Sequence, residues 1–292
     1  MLFTASLRTL ACATLASSLL LTAGCRKTTE TPTEDITTAT DRSDANAETA
    51  LSTEAVRAIS PAAASTSSAN PETSGTDYTC SDAEFRTRFG SCATRTYNAS
   101  LRLLTLDFGP TNCLCPDGRY RRGQLLVQFT TDNGNTRRAG AVVTRNNYFV
   151  NDNQHTATRV FTDLGSGSFS VSVPSASIIY AAANGGGTHS WTASWTFTRT
   201  AGYGTATILD DTYSVTGAAQ GTNRKGVSYT TTVQTPLIKR GDCLKYYVHG
   251  TSSITNSNGN TLLLDYDPTN TQACDNTASV TVNGVTRTIT LR

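Results

Sequence analysis

Hydrophobic and polar positions alternate with a period of two along most of the chain after Tyr78. In Gln124-Leu125-Leu126-Val127-Gln128-Phe129, the side chains of Leu125, Val127 and Phe129 share a face. Phe169, Val171 and Val173 do the same against serines, and Val227, Tyr229, Thr231 and Val233 repeat the pattern. Val285, Ile289 and Leu291 stand against a threonine face. Short runs of this kind are the signature of half-buried strands. Asn133-Gly134, Asn258-Gly259 and Asn283-Gly284 supply the positive φ that two-residue hairpin turns need. Roughly a dozen strands at hairpin spacing, with no helical crossovers, predict an all-β antiparallel meander. Twist decides whether it packs as a two-layer sandwich or curls into a barrel-like sheet.

One short helix interrupts the alternation. Ser81-Asp82-Ala83-Glu84 reads as a capping box, Phe85 and Phe89 sit four apart, and Gly90 can close the end. This predicts a helix over 82–89, laid on the sheet by its two phenylalanines.

The pattern divides the chain into three parts. In residues 1–25 a single basic side chain, Arg8, precedes an apolar run too short to span a bilayer of about 30 Å, the layout of an export signal. Thr22-Ala23-Gly24-Cys25 resembles the lipobox of bacterial lipoproteins, in which the cysteine is lipidated and becomes the mature N-terminus. A plain secretory signal with an incidental Cys25 is the competing reading. Residues 26–77 are rich in Thr, Ser and Ala, with four basic residues against nine acidic ones, a net of −5. Such composition buries little apolar surface and predicts a disordered tether. Residues 78–292 form a single β-rich domain with 19 Lys and Arg against 13 Asp and Glu, a net of +6.

An internal repeat organises that domain. Leu106-Asp107-Phe108-Gly109-Pro110-Thr111-Asn112 returns as Leu264-Asp265-Tyr266-Asp267-Pro268-Thr269-Asn270, and a Gly-x-Cys precedes each copy at Gly90-Ser91-Cys92 and Gly241-Asp242-Cys243. Each copy reads as a strand running into a turn tied down by a disulfide. A weaker repeat, Tyr148-Phe149-Val150-Asn151, Tyr213-Ser214-Val215-Thr216-Gly217 and Tyr247-Val248-His249-Gly250, suggests one hairpin used three times.

With Cys12 and Cys25 set aside, six cysteines remain: Cys80, Cys92, Cys113, Cys115, Cys243 and Cys274. An even number behind an export signal reads as disulfides. If the copies are equivalent, Cys243–Cys274 corresponds to Cys92 with Cys115 or Cys113, leaving Cys80 for the remaining one. A zinc site at Cys113-x-Cys115 lacks the usual Cys-x2-Cys spacing and any nearby histidine.

Asp107-Phe108-Gly109 through Cys115-Pro116-Asp117-Gly118-Arg119-Tyr120-Arg121-Arg122-Gly123, then Gly221-Thr222-Asn223-Arg224-Lys225-Gly226-Val227, then Asn283-Gly284-Val285-Thr286-Arg287, resemble an uncharacterised family of β-rich bacterial lipoproteins with no assigned activity. The resemblance covers most of residues 100–292. It implies a secreted or lipid-anchored β-domain and carries over no catalytic residue.

Chemistry has few candidates. His155, His189 and His249 are scattered, and no nucleophile elbow, zincin helix or phosphate loop occurs. No catalytic residue, metal ligand or cofactor is assigned. Paired aspartates among Asp107, Asp210, Asp211, Asp265 and Asp267 would suit an envelope glycoside hydrolase, against the simpler reading that Asp107 and Asp265 cap turns. Trp191 and Trp195 share a strand face with Phe197 and Arg199, as a core stripe or a sugar-stacking surface. Arg119, Arg121, Arg122, Arg137, Arg138 and Arg145 cluster where an anionic glycan or lipid head group could bind, or form a charged rim. The resulting expectation is a binding or structural module in the envelope of a Gram-negative bacterium, at the outer membrane. Its membrane contact is the N-terminal lipid only, its partner an envelope glycan or protein, and no nucleic acid is involved.

Overall fold

Fourteen strands, almost every one paired with its neighbour in sequence, make a single antiparallel meander sheet in the computed structural model of the chain. The structure describes residues 33–58, 82–98, 100–130, 140–203, 209–243 and 245–291. All lie within one of the chain's two units, Thr31–Arg292. The first strands are β1 (Thr94–Asn98), β2 (Leu103–Asp107), the short β3 (Cys113–Leu114), β4 (Tyr120–Phe129) and β5 (Ala141–Val150). The long middle is β6 (Asn153–Gly165), β7 (Ser168–Ile179), β8 (Thr188–Ala201), β9 (Thr212–Thr222) and β10 (Ser228–Arg240). It closes with β11 (His249–Asn256), β12 (Thr261–Asp265), β13 (Thr277–Val282) and β14 (Val285–Thr290). Only β3 leaves the path, pairing with β4, and β1 and β14 are its two edges, so the sheet does not close into a barrel.

Alternation places the residues as expected. Leu125, Val127, Phe129, Phe169, Val171 and Val173 are all buried on the inner face, with serine and threonine outside. Val227 falls just before β10, and Val285 and Ile289 are only half-buried because β14 is an edge strand with one neighbour. Asn283 (φ 51°) and Gly284 (φ 79°) form the two-residue turn between Val282 and Val285. Asn258-Gly259 turns β11 into β12, and Asn133-Gly134 lies outside the described residues. On β8, Trp191 and Trp195 lie opposite Gly221 and Gly217 of β9. A Cβ at Gly217 would meet the Trp195 ring at 2.6 Å, and one at Gly221 would meet Trp191 Cβ at 2.8 Å. Glycine there makes room for the indoles.

Two helices accompany the sheet. The short one, α2 (Asp82–Phe89), has the bounds its sequence predicts, and Phe85 and Phe89 are buried with ring centroids 5.3 Å apart. The other, α1 (Thr33–Ala58), occupies much of the stretch expected to be a disordered tether, and its 26 residues put Ala39, Ala45 and Ala55 in the core formed by the inner face. That expectation is corrected for residues 33–58. Composition alone suggested that nothing could hold so polar a segment, but the sheet supplies the partners. Inner-face residues of β5, β6, β8 and β10, and Tyr266 beyond β12, all reach α1, so the open sheet curls around it.

The main repeat is realised at the two ends of the meander. Leu104 and Leu106 on β2, like Leu262 and Leu264 on β12, are buried. Asp107 Oδ1 accepts the Gly109 N–H at 2.7 Å, and Asp265 Oδ1 accepts the Asp267 N–H at 2.9 Å. Disulfides Cys92–Cys113 and Cys243–Cys274 follow in equivalent places. Cys115 is buried and makes no disulfide among the described residues, and Cys80 lies outside them. The weaker repeat is not one hairpin: Tyr148 ends β5, Tyr213 begins β9, and Tyr247 precedes β11. What the three share is a buried tyrosine ring.

Candidate functional site

A helix as polar as α1 can be buried only if each polar group finds a partner. Its hydroxyls turn inward: Thr40, Thr49, Ser52 and Thr53 donate to the carbonyls of Ile36, Ala45, Glu48 and Thr49, at 2.9–3.0 Å. Its acids meet arginines. Asp41 Oδ1 accepts Arg224 Nε at 2.6 Å and its Oδ2 accepts the Arg224 backbone N–H at 2.8 Å. Asp44 accepts the Tyr180 hydroxyl at 3.0 Å, and Glu54 pairs with Arg88 of α2 at 2.5 Å. Arg42 lies 5.6 Å from the centroid of the Trp195 ring and donates to Asn46, which donates in turn to the Tyr266 hydroxyl at 2.7 Å.

Glu48 is the centre of the groove. It is completely buried and faces Arg145 at 3.0 Å, Arg119 at 3.7 Å and His155 at 3.9 Å. A bulge in β5 puts these groups together: between Arg122/Phe149 and Gln124/Asn146, β5 carries one residue more than β4. The extra residue reverses the side-chain parity, so Arg145, Tyr148 and Val150 are all turned inward. Burial pushes the His155 imidazole down to about 3, against the pull of Glu48, so it is neutral at physiological pH. Burial would raise the Glu48 carboxyl, but surrounding charge draws it down to about 2. A protonated His155 would contribute first to that fall; with His155 neutral, the guanidiniums of Arg145, Arg121 and Arg119 are the charges that remain to hold Glu48 down.

Three of the six clustered arginines are therefore not on an exposed face, whether binding surface or charged rim. Arg119, Arg121 and Arg145 are buried, Arg119 and Arg145 around Glu48, and Arg121 between Asp117 (two contacts of 2.7 Å) and the Tyr148 hydroxyl (3.1 Å). The inward strand positions of Arg121 and Arg145 and their close acidic partners leave these two no open anion-binding surface. Arg122 points out and pairs with Asp152, while Arg137 and Arg138 lie outside the described residues. Trp191 and Trp195 form a core stripe and not a sugar-stacking surface. His189 stacks on Trp191 at 4.5 Å and meets the Tyr229 hydroxyl at 2.8 Å. The aspartates weighed for catalysis are engaged: Asp107 and Asp265 in turns, Asp211 with Arg199 and Tyr213, and Asp267 with His249 and the Thr271 and Gln272 N–H groups. Cys25 lies outside the described residues. Among the described residues no helix is long and apolar enough to cross a membrane.

Two cavities open beside the groove. One, about 540 Å³, lies at the β5–β6 turn and is polar, with Asp44, Arg119, His155, Asn151, Asn153 and Asn184 in its wall. The other, about 350 Å³, lies where the two disulfide-pinned turns meet α1 and α2. Leu51, Phe89, Phe108 and Tyr246 give it an apolar wall, and Lys245 stands at its side. Lys245 Nζ donates to the Asp117 carbonyl at 3.3 Å and lies 4.9 Å from the Tyr246 ring centroid. Burial lowers its pKa, and no carboxylate among the described residues forms an ion pair with it. Sequence reasoning missed Lys245, which has no local pattern, and α1. The signal for α1 was present: no Pro or Gly occurs between Pro32 and Pro61, and acids recur at 41, 44 and 48, one helical stripe.

Compared with models of protein families, with curated proteins and with solved structures, the chain matches none of them.

Proposed function

We propose that the domain is a binding module of the bacterial cell envelope, held there by lipid on Cys25, and that the 350 Å³ cavity receives a membrane-lipid head group. The observation that carries the reading is Lys245, a half-buried ammonium with no ion-pair partner among the described residues, set against an apolar wall. An anionic group joined to an apolar one satisfies both surfaces at once, and the volume is in the range of small-molecule sites, about 300–1,000 Å³. The export signal and the small residues before Cys25 support the envelope setting. Calorimetric titration with glycerol phosphate, short-chain phosphatidylglycerol, a hexuronic acid and a neutral hexose tests it. The two glycerophosphate probes bind and Lys245→Met weakens them at least tenfold. Binding of neither, or binding indifferent to Lys245→Met, overturns the reading.

A further inference from the structure

Arg159 on β6 is entirely buried, and among the described residues none of its three guanidinium nitrogens has a hydrogen-bond partner. Nε and Nη1 of Arg145 are also without one, although Arg145 Nη2 reaches Glu48. The two arginines are neighbours: Arg159 pairs in register with Val143 of β5, and Arg145 follows two positions along on the same face. Glu48 lies near both and also faces Arg119, so a single carboxylate, whose Oε1 accepts no hydrogen bond among the described residues, serves three guanidiniums. Arginine cannot relieve the imbalance by losing its proton. A buried charge without a counter-charge is strongly unfavourable, and water would satisfy its N–H groups without neutralising it.

We propose that a small inorganic anion, chloride or phosphate, binds in the interior between Arg145 and Arg159, beside Glu48 of α1. It accepts from free nitrogens of both guanidiniums and supplies negative charge that Glu48 alone does not. The site is separate from the Lys245 cavity and does not depend on it.

Thermal unfolding of the full chain tests this, with sodium gluconate exchanged for chloride, and in a second arm for phosphate, at constant ionic strength. The wild-type midpoint rises saturably with one of the two, by roughly 5–10 °C at an anion concentration a hundredfold above its Kd. Arg159→Met removes the response and, in gluconate, unfolds no lower than wild type, because the uncompensated charge is gone. No anion-specific rise in wild type, or a rise that persists in Arg159→Met, overturns the proposal. Should Arg159→Met not fold, anomalous diffraction from wild-type crystals grown in bromide decides. A bromide peak within hydrogen-bond reach of Arg159 supports the site, and a water in that position overturns it.

Discussion

Two polar clusters hold α1 in its groove, and they are built on different principles. Around Asp41 and Asp44, acid and base are matched: both oxygens of Asp41 receive donors from Arg224, Tyr180 donates to Asp44, and Asn223 donates to Thr38 at 2.7 Å. Arg224 also covers the Tyr180 ring, 3.3 Å from its centroid. Around Glu48, one turn further along, the bases outnumber the acid and several nitrogens are unpaired. The first cluster is nearly complete within the chain: Arg224 Nη2 makes no hydrogen bond among the described residues, but it lies in an ion pair with Asp41. The second is organised about a charge the chain supplies only in part. Hydrogen-bond completeness, more than the number of ion pairs, separates a structural clasp from a site that still has room for chemistry.

The largest expected effect comes from removing the scarce acid. Glu48→Gln leaves the surrounding guanidiniums without their carboxylate and lowers unfolding stability by about 4–5 kcal/mol in urea titration. A loss under 1 kcal/mol would mean that Glu48 is not the organiser of its cluster. Arg224→Met, in the matched cluster, strands Asp41 and costs about 3–4 kcal/mol by the same measurement. An equal or larger loss than for Glu48→Gln would reverse the ranking of the two.

Acid distinguishes the clusters next. His155 titrates near 6.5 when unfolded but is held down to about 3 in the fold, so the unfolded chain takes up its proton first. Stability therefore falls as pH drops below 6.5, on the order of 2–3 kcal/mol by pH 4. Glu48, depressed from 4.5 to about 2, adds a second loss over that lower window. His155→Asn abolishes the first loss and keeps the part of the second that the arginines cause, read from urea midpoints between pH 2 and 7. The smallest effect belongs to the exterior: Arg122→Ala breaks the exposed pair with Asp152 and shifts stability by less than about 1 kcal/mol.

Much of this fold could be read from the chain, because a meander is local. Period-two alternation, the Asn-Gly at 283–284 and the turn aspartates Asp107 and Asp265 act over a few residues, and each ended where its chemistry placed it. The Cys243–Cys274 staple followed from the equivalence of the two copies. What was not legible depends on partners far apart in sequence. Asn223 and Thr38 are separated by 185 positions, and Asn46 and Tyr266 by 220. A segment with Asp41, Arg42, Asp44 and Glu48 looks solvated until the arginines opposite are known. The same ignorance made Arg119, Arg121 and Arg145 look like a surface. Acid stripe and basic cluster were each other's explanation.

The burial of α1 also sets an order of assembly. Consecutive strands pair almost throughout, so hairpins can form one after another as the chain is synthesised from its N-terminus. Without Glu48, the inner faces of β5 and β6 would set Arg145 and Arg159 beside one another, with no carboxylate near them or His155. Because α1 precedes every strand, it is already present when the first hairpin emerges, and the sheet is laid down strand by strand on a resident template. A chain synthesised without residues 33–58 would carry the same strands and lack the form on which they are moulded.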